Sequence, residues 1–295
     1  MEKSEFNKGV IYALTAYSLW GIAPLYFKYI DYIPAPEILM HRIIWSFALL
    51  LLMVVIGGQV AEVKKLLKMP KQLSVLACTS ILVGFNWLIF IWAVNDGRLL
   101  EASLGYFINP LLNVALGMIF LRERLPKLQL FAVGLATLGV IIQLVVYGSI
   151  PWVSLLLAGS FGIYGLLKKK VNLKAVTGLF VETTILLPIA LLYWAQLSSE
   201  TANFSSNELS LNAVLICAGI VTTLPLLAFS AAATRIPFYM LGLFQYIGPS
   251  AMFIMAITLF SEELDQTKLT TFAFIWAALI LFVFDIWRQS KKVKT

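Results

Sequence analysis

Lys127-Leu-Gln-Leu-Phe-Ala-Val-Gly-Leu-Ala-Thr-Leu-Gly-Val-Ile-Ile-Gln-Leu-Val-Val146 opens on its one charge and is apolar almost throughout. A helix rising about 1.5 Å per residue crosses about 30 Å of hydrocarbon in about 20 residues, so this stretch predicts a membrane span. Comparable windows lie at Gly9–Phe27, Pro36–Ile56, Gln72–Val94, Glu101–Leu121, Pro151–Leu167, Ala175–Gln196, Leu211–Ala231, Pro237–Leu259 and Lys268–Trp287. The chain of 295 residues is 60% hydrophobic and 13% charged, with a mean hydropathy of +0.89. That is too apolar for a water-soluble core to hide. The expectation is therefore an all-α polytopic membrane protein of ten transmembrane helices. The longest loops, Gly57–Lys71 and Leu197–Ser210, leave no room for a soluble domain. The first window is too long for a signal-peptide core, so it reads as a span that stays.

The net charge of +7 is explained by orientation rather than by a nucleic-acid partner. If the spans alternate, one side receives Lys3, Lys8, Lys64, Lys65, Lys68, Lys71, Arg122, Arg124, Lys127, Lys168, Lys169, Lys170, Lys174, Arg235, Arg288, Lys291, Lys292 and Lys294. The other keeps Lys28, Arg98 and Lys268, with Arg42 inside a span and Glu200, Glu208, Glu262, Glu263 and Asp265 nearby. Positive charge stays inside, so both termini are expected in the cytoplasm and the chain in the inner membrane. Cys78 and Cys217 sit within apolar windows, and one histidine cannot build a multi-histidine metal or haem site; no metal or cofactor is expected. A monomer is the expected oligomeric state.

The chain also repeats itself. A shift of 139 residues pairs Asn109-Pro110 with Gly248-Pro249, Glu123 with Glu262, Leu125 with Leu264 and Cys78 with Cys217. A shift of 141 pairs Trp20-Gly21-Ile22 with Phe161-Gly162-Ile163 and Lys28 with Lys169. Residues 1–146 and 147–295 thus read as two five-helix repeats of one membrane domain. Five is odd, so the second enters the membrane inverted, the arrangement of secondary transporters.

Ionisable groups inside spans cost about 2.5–3.5 kcal/mol at the bilayer centre, which makes each a candidate for function. Glu37, His41 and Trp45 share a face of the second span, and Arg42 lies a quarter turn away. Arg42 reads equally as a site residue or as a side chain snorkelling to the headgroups. Glu182 stands in the seventh span with no Lys or Arg within a turn. Asn86, Trp87, Trp92 and Asn95, then Tyr106, Asn109 and Asn113, then Gln245 and Tyr246 gather polarity in three spans, as helix-joining hydrogen bonds or as a wet aromatic cavity. Gly134, Ala136, Gly139, Gly159 and Gly162 read as close-packing positions. Pro110 and Pro249, with Gly248, are matched helix breaks near the midplane, the best sequence pointer to a binding site. Each frees the carbonyl four residues earlier, those of Tyr106 and Gln245. Trp20, Asn86 and Trp87 are the expected further lining.

A phosphate-binding loop, G-x-S-x-G, H-E-x-x-H and Asp-rich diphosphate motifs are all missing from the sequence, so an ATP-driven pump and the common hydrolases are not expected. The stretches Trp20-Gly-Ile-Ala-Pro24, Glu37-Ile-Leu-Met-His-Arg42-Ile-Ile-Trp-Ser46, Asn86-Trp87 to Asn95, Glu101 to Pro110, and Thr234-Arg235 leading to Gln245-Tyr246-Ile-Gly-Pro249 resemble the RarD permeases, in the EamA-type branch of the drug/metabolite transporter superfamily. The resemblance spans essentially the whole chain. It implies two inverted five-helix repeats around a central cavity, and relatives that carry amino acids, other metabolites and drugs, often outward. The expected function is a secondary active transporter, an exporter of an amino acid-like metabolite or amphipathic drug, with protons as candidate coupling ions. A passive channel is the alternative, with a lipid translocase or intramembrane enzyme behind it.

Overall fold

A computed structural model describes residues 3–95, 99–197, 199, 201, 203–258 and 266–292. Arg98, Glu200, Glu262, Glu263, Leu264, Asp265 and Lys294, which enter the charge count or the repeat, lie outside the described residues. Those described form twelve helices and no strand: α1 Lys3–Tyr29, α2 Ala35–Ile56, α3 Val60–Leu67, α4 Pro70–Asn95, α5 Leu99–Phe120, α6 Lys127–Tyr147, α7 Trp152–Val171, α8 Ala175–Gln196, α9 Leu209–Ala233, α10 Phe238–Phe244, α11 Ile247–Thr258 and α12 Gln266–Lys292. Eight stretches among them are long and apolar enough to cross a bilayer, one of them running through α10 and α11. In α5 the apolar stretch is shorter, Leu104–Phe120, and α7 closes on three lysines. The chain is a multi-pass membrane protein.

The packing is that of a protein dissolved in lipid. Large apolar side chains such as Leu52, Ile119, Val145, Ile189 and Ile280 face outward, whereas Ala13, Ala16, Ala132, Ala136, Ala232 and Ala233 are fully buried. Small residues inside let backbones approach where no hydrophobic force drives helices together. At Gly219 of α9 the approach is closest, since a Cβ would lie 2.5 Å from the Trp45 carbonyl carbon. Gly139 and Gly162 also sit tight against neighbouring helices, but Gly134 and Gly159 face open space and do not serve the packing role read from sequence.

Neither half of the chain packs mainly on itself. α6 lies along α12, α5 against α7 and α10, α2 against α8 and α9, α1 against α9 and α11, and α4 against α7. Each of these contacts joins a helix before residue 148 to one after it.

Two elements differ from the sequence reading. The Gly57–Lys71 loop holds the short amphipathic helix α3, which buries Val63 and Leu66 against Leu76 and Val181 and points its lysines away. The ninth window is split into α10 and α11 at Gln245-Tyr246. Pro249 falls in the first turn of α11, where a missing N–H costs little, and the Gln245 carbonyl accepts the Gly248 N–H at 3.2 Å. Pro110 instead lies inside a continuous α5. The two prolines are therefore unequal, one following a complete break and one carried within a helix.

Candidate substrate cavity

The faces of α1, α2, α4 and α5 meet those of α7, α9 and α11, with Gln245 at the α10–α11 break, around a cavity of about 180 Å³. Its wall is aromatic: Tyr17, Trp20 and Phe27 from α1, Trp87 and Phe90 from α4, Tyr106 from α5 and Phe161 from α7. Trp20 and Phe161 meet edge to face at 5.7 Å.

Among the described residues lining the cavity, Arg42 is the one that carries a charge. Its Nε donates to Thr222 Oγ1 of α9 at 2.9 Å, and its Cζ lies 4.7 Å from the Trp87 ring centre and 5.4 Å from that of Phe27. The side chain thus turns inward between two aromatic faces, in cation–π range of both. Asn86 spends its amide nitrogen on the Leu157 carbonyl and Ser160 Oγ, each at 2.9 Å, which ties α4 to α7. Asn109 lines the wall with a buried Oδ1 that has no partner among the described residues. Gln245 is reached because the backbone opens there; its Oε1 accepts from Asn113 Nδ2 at 2.8 Å. Gly248 and Pro249 complete that side.

Of the residues singled out from sequence, Trp20, Arg42, Asn86, Trp87, Tyr106, Asn109, Gln245, Gly248 and Pro249 come together on this cavity. Tyr246, Pro110, Glu182 and His41 do not line it. Tyr246 is buried and donates its hydroxyl to the Phe107 carbonyl at 3.1 Å, fixing the helix break against α5. Pro110 is buried where α5 meets α10, its carbonyl oxygen 2.7 Å from where a Cβ on Gly242 would stand.

Glu182 is not the isolated carboxylate that the sequence suggests. Lys168, fourteen residues earlier on α7, folds back to it at 3.1 and 3.2 Å, and Thr79 of α4 donates to the same carboxylate at 2.5 Å. Both charges are buried. Lys168 reads as a loop residue in sequence; α4, which packs on both α7 and α8, brings it to Glu182, and Thr79 of α4 joins the pair. Three ion pairs gather with it at this end of the bundle: Lys169 with Glu123 at 3.7 Å, Arg235 with Glu5 at 3.0 Å, and Lys174 with Glu62. Glu123 also caps α10, accepting the N–H groups of Phe238 and Tyr239 at 2.7 and 2.9 Å.

His41 sits at the opposite end, fully buried between the rings of Trp194 and Phe204. Among the described residues neither ring nitrogen has a partner, nor has Glu37 Oε2 or Trp45 Nε1, although Glu37 Oε1 accepts from Thr201 at 2.6 Å. Sequence reasoning missed Thr222, Phe27 and Lys168. A Thr222-Thr223 pair within an apolar span was the only visible signal for the first, and Phe27 looked like ordinary span composition.

Residues 7–145 match the model of the EamA-like transporter family. "Protein RarD" of Salmonella typhi is 52% identical over 294 residues, covering 99% of this chain and all of that one. The chain belongs to the RarD group of this family. An "Uncharacterized transporter" of Vibrio cholerae is 51% identical to this RarD-type chain, covering 96% of it and 94% of the relative. A solved crystal structure shares the fold, with a TM-score of 0.72 over 94% of this chain and 97% of that one at 14% identity. Family membership makes the chain a drug/metabolite-superfamily transporter and gives the cavity its context.

Proposed function

We propose that the chain is a secondary active transporter that moves a small organic molecule across the inner membrane by alternating access, with export as its direction and both termini in the cytoplasm. The observation that carries this reading is a cavity walled by helices from both halves of the chain, in a bundle that carries four ion pairs at one end. A passive channel needs a polar path through the bundle, whereas here the walls are aromatic and polar atoms gather in the middle. No catalytic role is assigned.

Ten spans in two inverted repeats are supported by which residues touch. Trp20 and Phe161 are 141 positions apart and in ring contact; Phe107 and Tyr246 are 139 apart and hydrogen-bonded. These are the two offsets of the internal repeat. Equivalent positions that touch straddle a two-fold axis, which is where inverted-repeat transporters place their substrate. The pairing of α1 with α9 and of α7 with α4 follows the same exchange.

For proton coupling, the Glu37–His41 stripe is a better candidate than Glu182. Lys168 already neutralises Glu182, whereas Glu37 and His41 are buried one turn apart with three polar atoms that have no partner among the described residues. A group that must bind and release a proton during transport gains from such a site. The test is movement of organic solutes in proteoliposomes. Accumulation against a gradient, lost when the proton gradient is collapsed, supports the reading; equilibration alone, insensitive to the proton gradient, supports the channel.

A further inference from the structure

We infer that the cavity takes an organic monoanion, a carboxylate on a flat apolar body, gripped end-on by Arg42. This rests on the reading of the cavity as the substrate site and names the class of substrate. Arg42 is a charge that the protein itself leaves uncompensated. Among the described residues no carboxylate forms an ion pair with it, and its only hydrogen bond uses Nε, on Thr222. The guanidinium carries five N–H donors in a planar fork. With Nε taken, the four on Nη1 and Nη2 remain, and these present the end-on edge that matches the two oxygens of a carboxylate. Trp87 and Phe27 hold the guanidinium from two sides, so the fork is oriented before any ligand arrives.

The rest of the wall sets the remainder of the ligand. Rings from Trp20, Phe90 and Tyr106 offer flat apolar contact, with the unpartnered Asn109 Oδ1 as an acceptor. Among the described residues the lining holds no carboxylate, so an ammonium group would meet Arg42 without a counter-charge from them. A cationic drug is disfavoured for the same reason, and a dianion would exceed the one positive charge available. The amphipathic acid is thereby favoured over both the zwitterionic amino acid and the cation.

The matched probes 2-naphthoate, 2-naphthamide and 2-naphthylmethylamine differ in charge and little in shape. Binding is measured on the purified chain in lipid nanodiscs, with thermal unfolding to verify each variant. The inference expects 2-naphthoate to bind about tenfold or more tightly than the amide, the amine to bind weakest, and Arg42→Gln to cost the carboxylate about tenfold and the amide clearly less. Arg42→Lys, which keeps the charge and loses the fork, should fall between. Amide or amine binding as tight as the carboxylate, no saturable 2-naphthoate binding, or a carboxylate affinity unchanged in Arg42→Gln overturns it. The first of these, combined with loss of binding in Asn109→Leu, leaves the cavity as the substrate site and removes only the anion. Saturable 2-naphthoate binding indifferent to both Arg42→Gln and Asn109→Leu removes the cavity as well.

Discussion

Tyr246 donates its hydroxyl to the backbone carbonyl of Phe107, 3.1 Å away, and the two residues stand 139 positions apart. The same offset aligns Asn109-Pro110 with Gly248-Pro249, so under the proposed repeat the bond joins equivalent points beside the cavity. Tyr246→Phe removes only the hydroxyl. Without it the α10–α11 break loses a buried anchor, at about 0.5–1.5 kcal/mol, and transport should weaken through Gln245, its neighbour. Thermal unfolding beside transport kinetics checks both effects.

Opposite ends of the bundle should be labelled from opposite sides of the membrane. With Cys78 and Cys217 replaced by serine, a cysteine at Ser205 should react with impermeant reagents in whole cells, and one at Lys65 only after lysis. Labelling of both from one side would overturn the orientation.

Glu182→Gln should destabilise the protein by about 3–5 kcal/mol, because it leaves Lys168 charged and buried without its partner. Lys168→Met combined with Glu182→Leu should recover much of that loss. If the single variant keeps wild-type stability but loses transport, Glu182 is a working group rather than a bundle-end latch.

His41→Ala and Glu37→Gln should abolish the dependence of transport on the proton gradient while sparing exchange of substrate for substrate. Net transport should fall about tenfold or more, since both groups hold polarity at a buried site. Equal loss of net transport and exchange would return the pair to a structural role.

Gly219→Ala should cost about 1–3 kcal/mol, because its Cβ would stand 2.5 Å from the Trp45 backbone where α9 crosses α2. Reduced membrane-inserted protein and a lowered unfolding temperature are the readouts.

The spans were legible because hydropathy at helix length is a strong signal, and the proposed repeat rests on two offsets that hold over several motifs. Much of the cavity wall was legible for a related reason: an asparagine or glutamine in an apolar window must face something polar. Partners were not legible. Lys168 and Glu182 lie on different helices, each packed on α4, and no spacing rule predicts that the two side chains will meet. The inequality of Pro110 and Pro249 was hidden too, because a proline in a helix's first turn and one in its middle look alike in a hydropathy window. Arg42 was undecided between headgroup and interior until Thr222, on another helix, defined its direction.

The most direct test of a substrate site between the halves is transport by Asn109→Leu and Gln245→Leu in proteoliposomes, beside the outward-facing control Ile280→Ala, whose side chain is 70% exposed. The account predicts that each cavity substitution changes apparent affinity or substrate preference about tenfold, for loss of a buried polar contact, while the control matches the parent protein. Wild-type rate, affinity and preference in both correctly inserted cavity variants would contradict it.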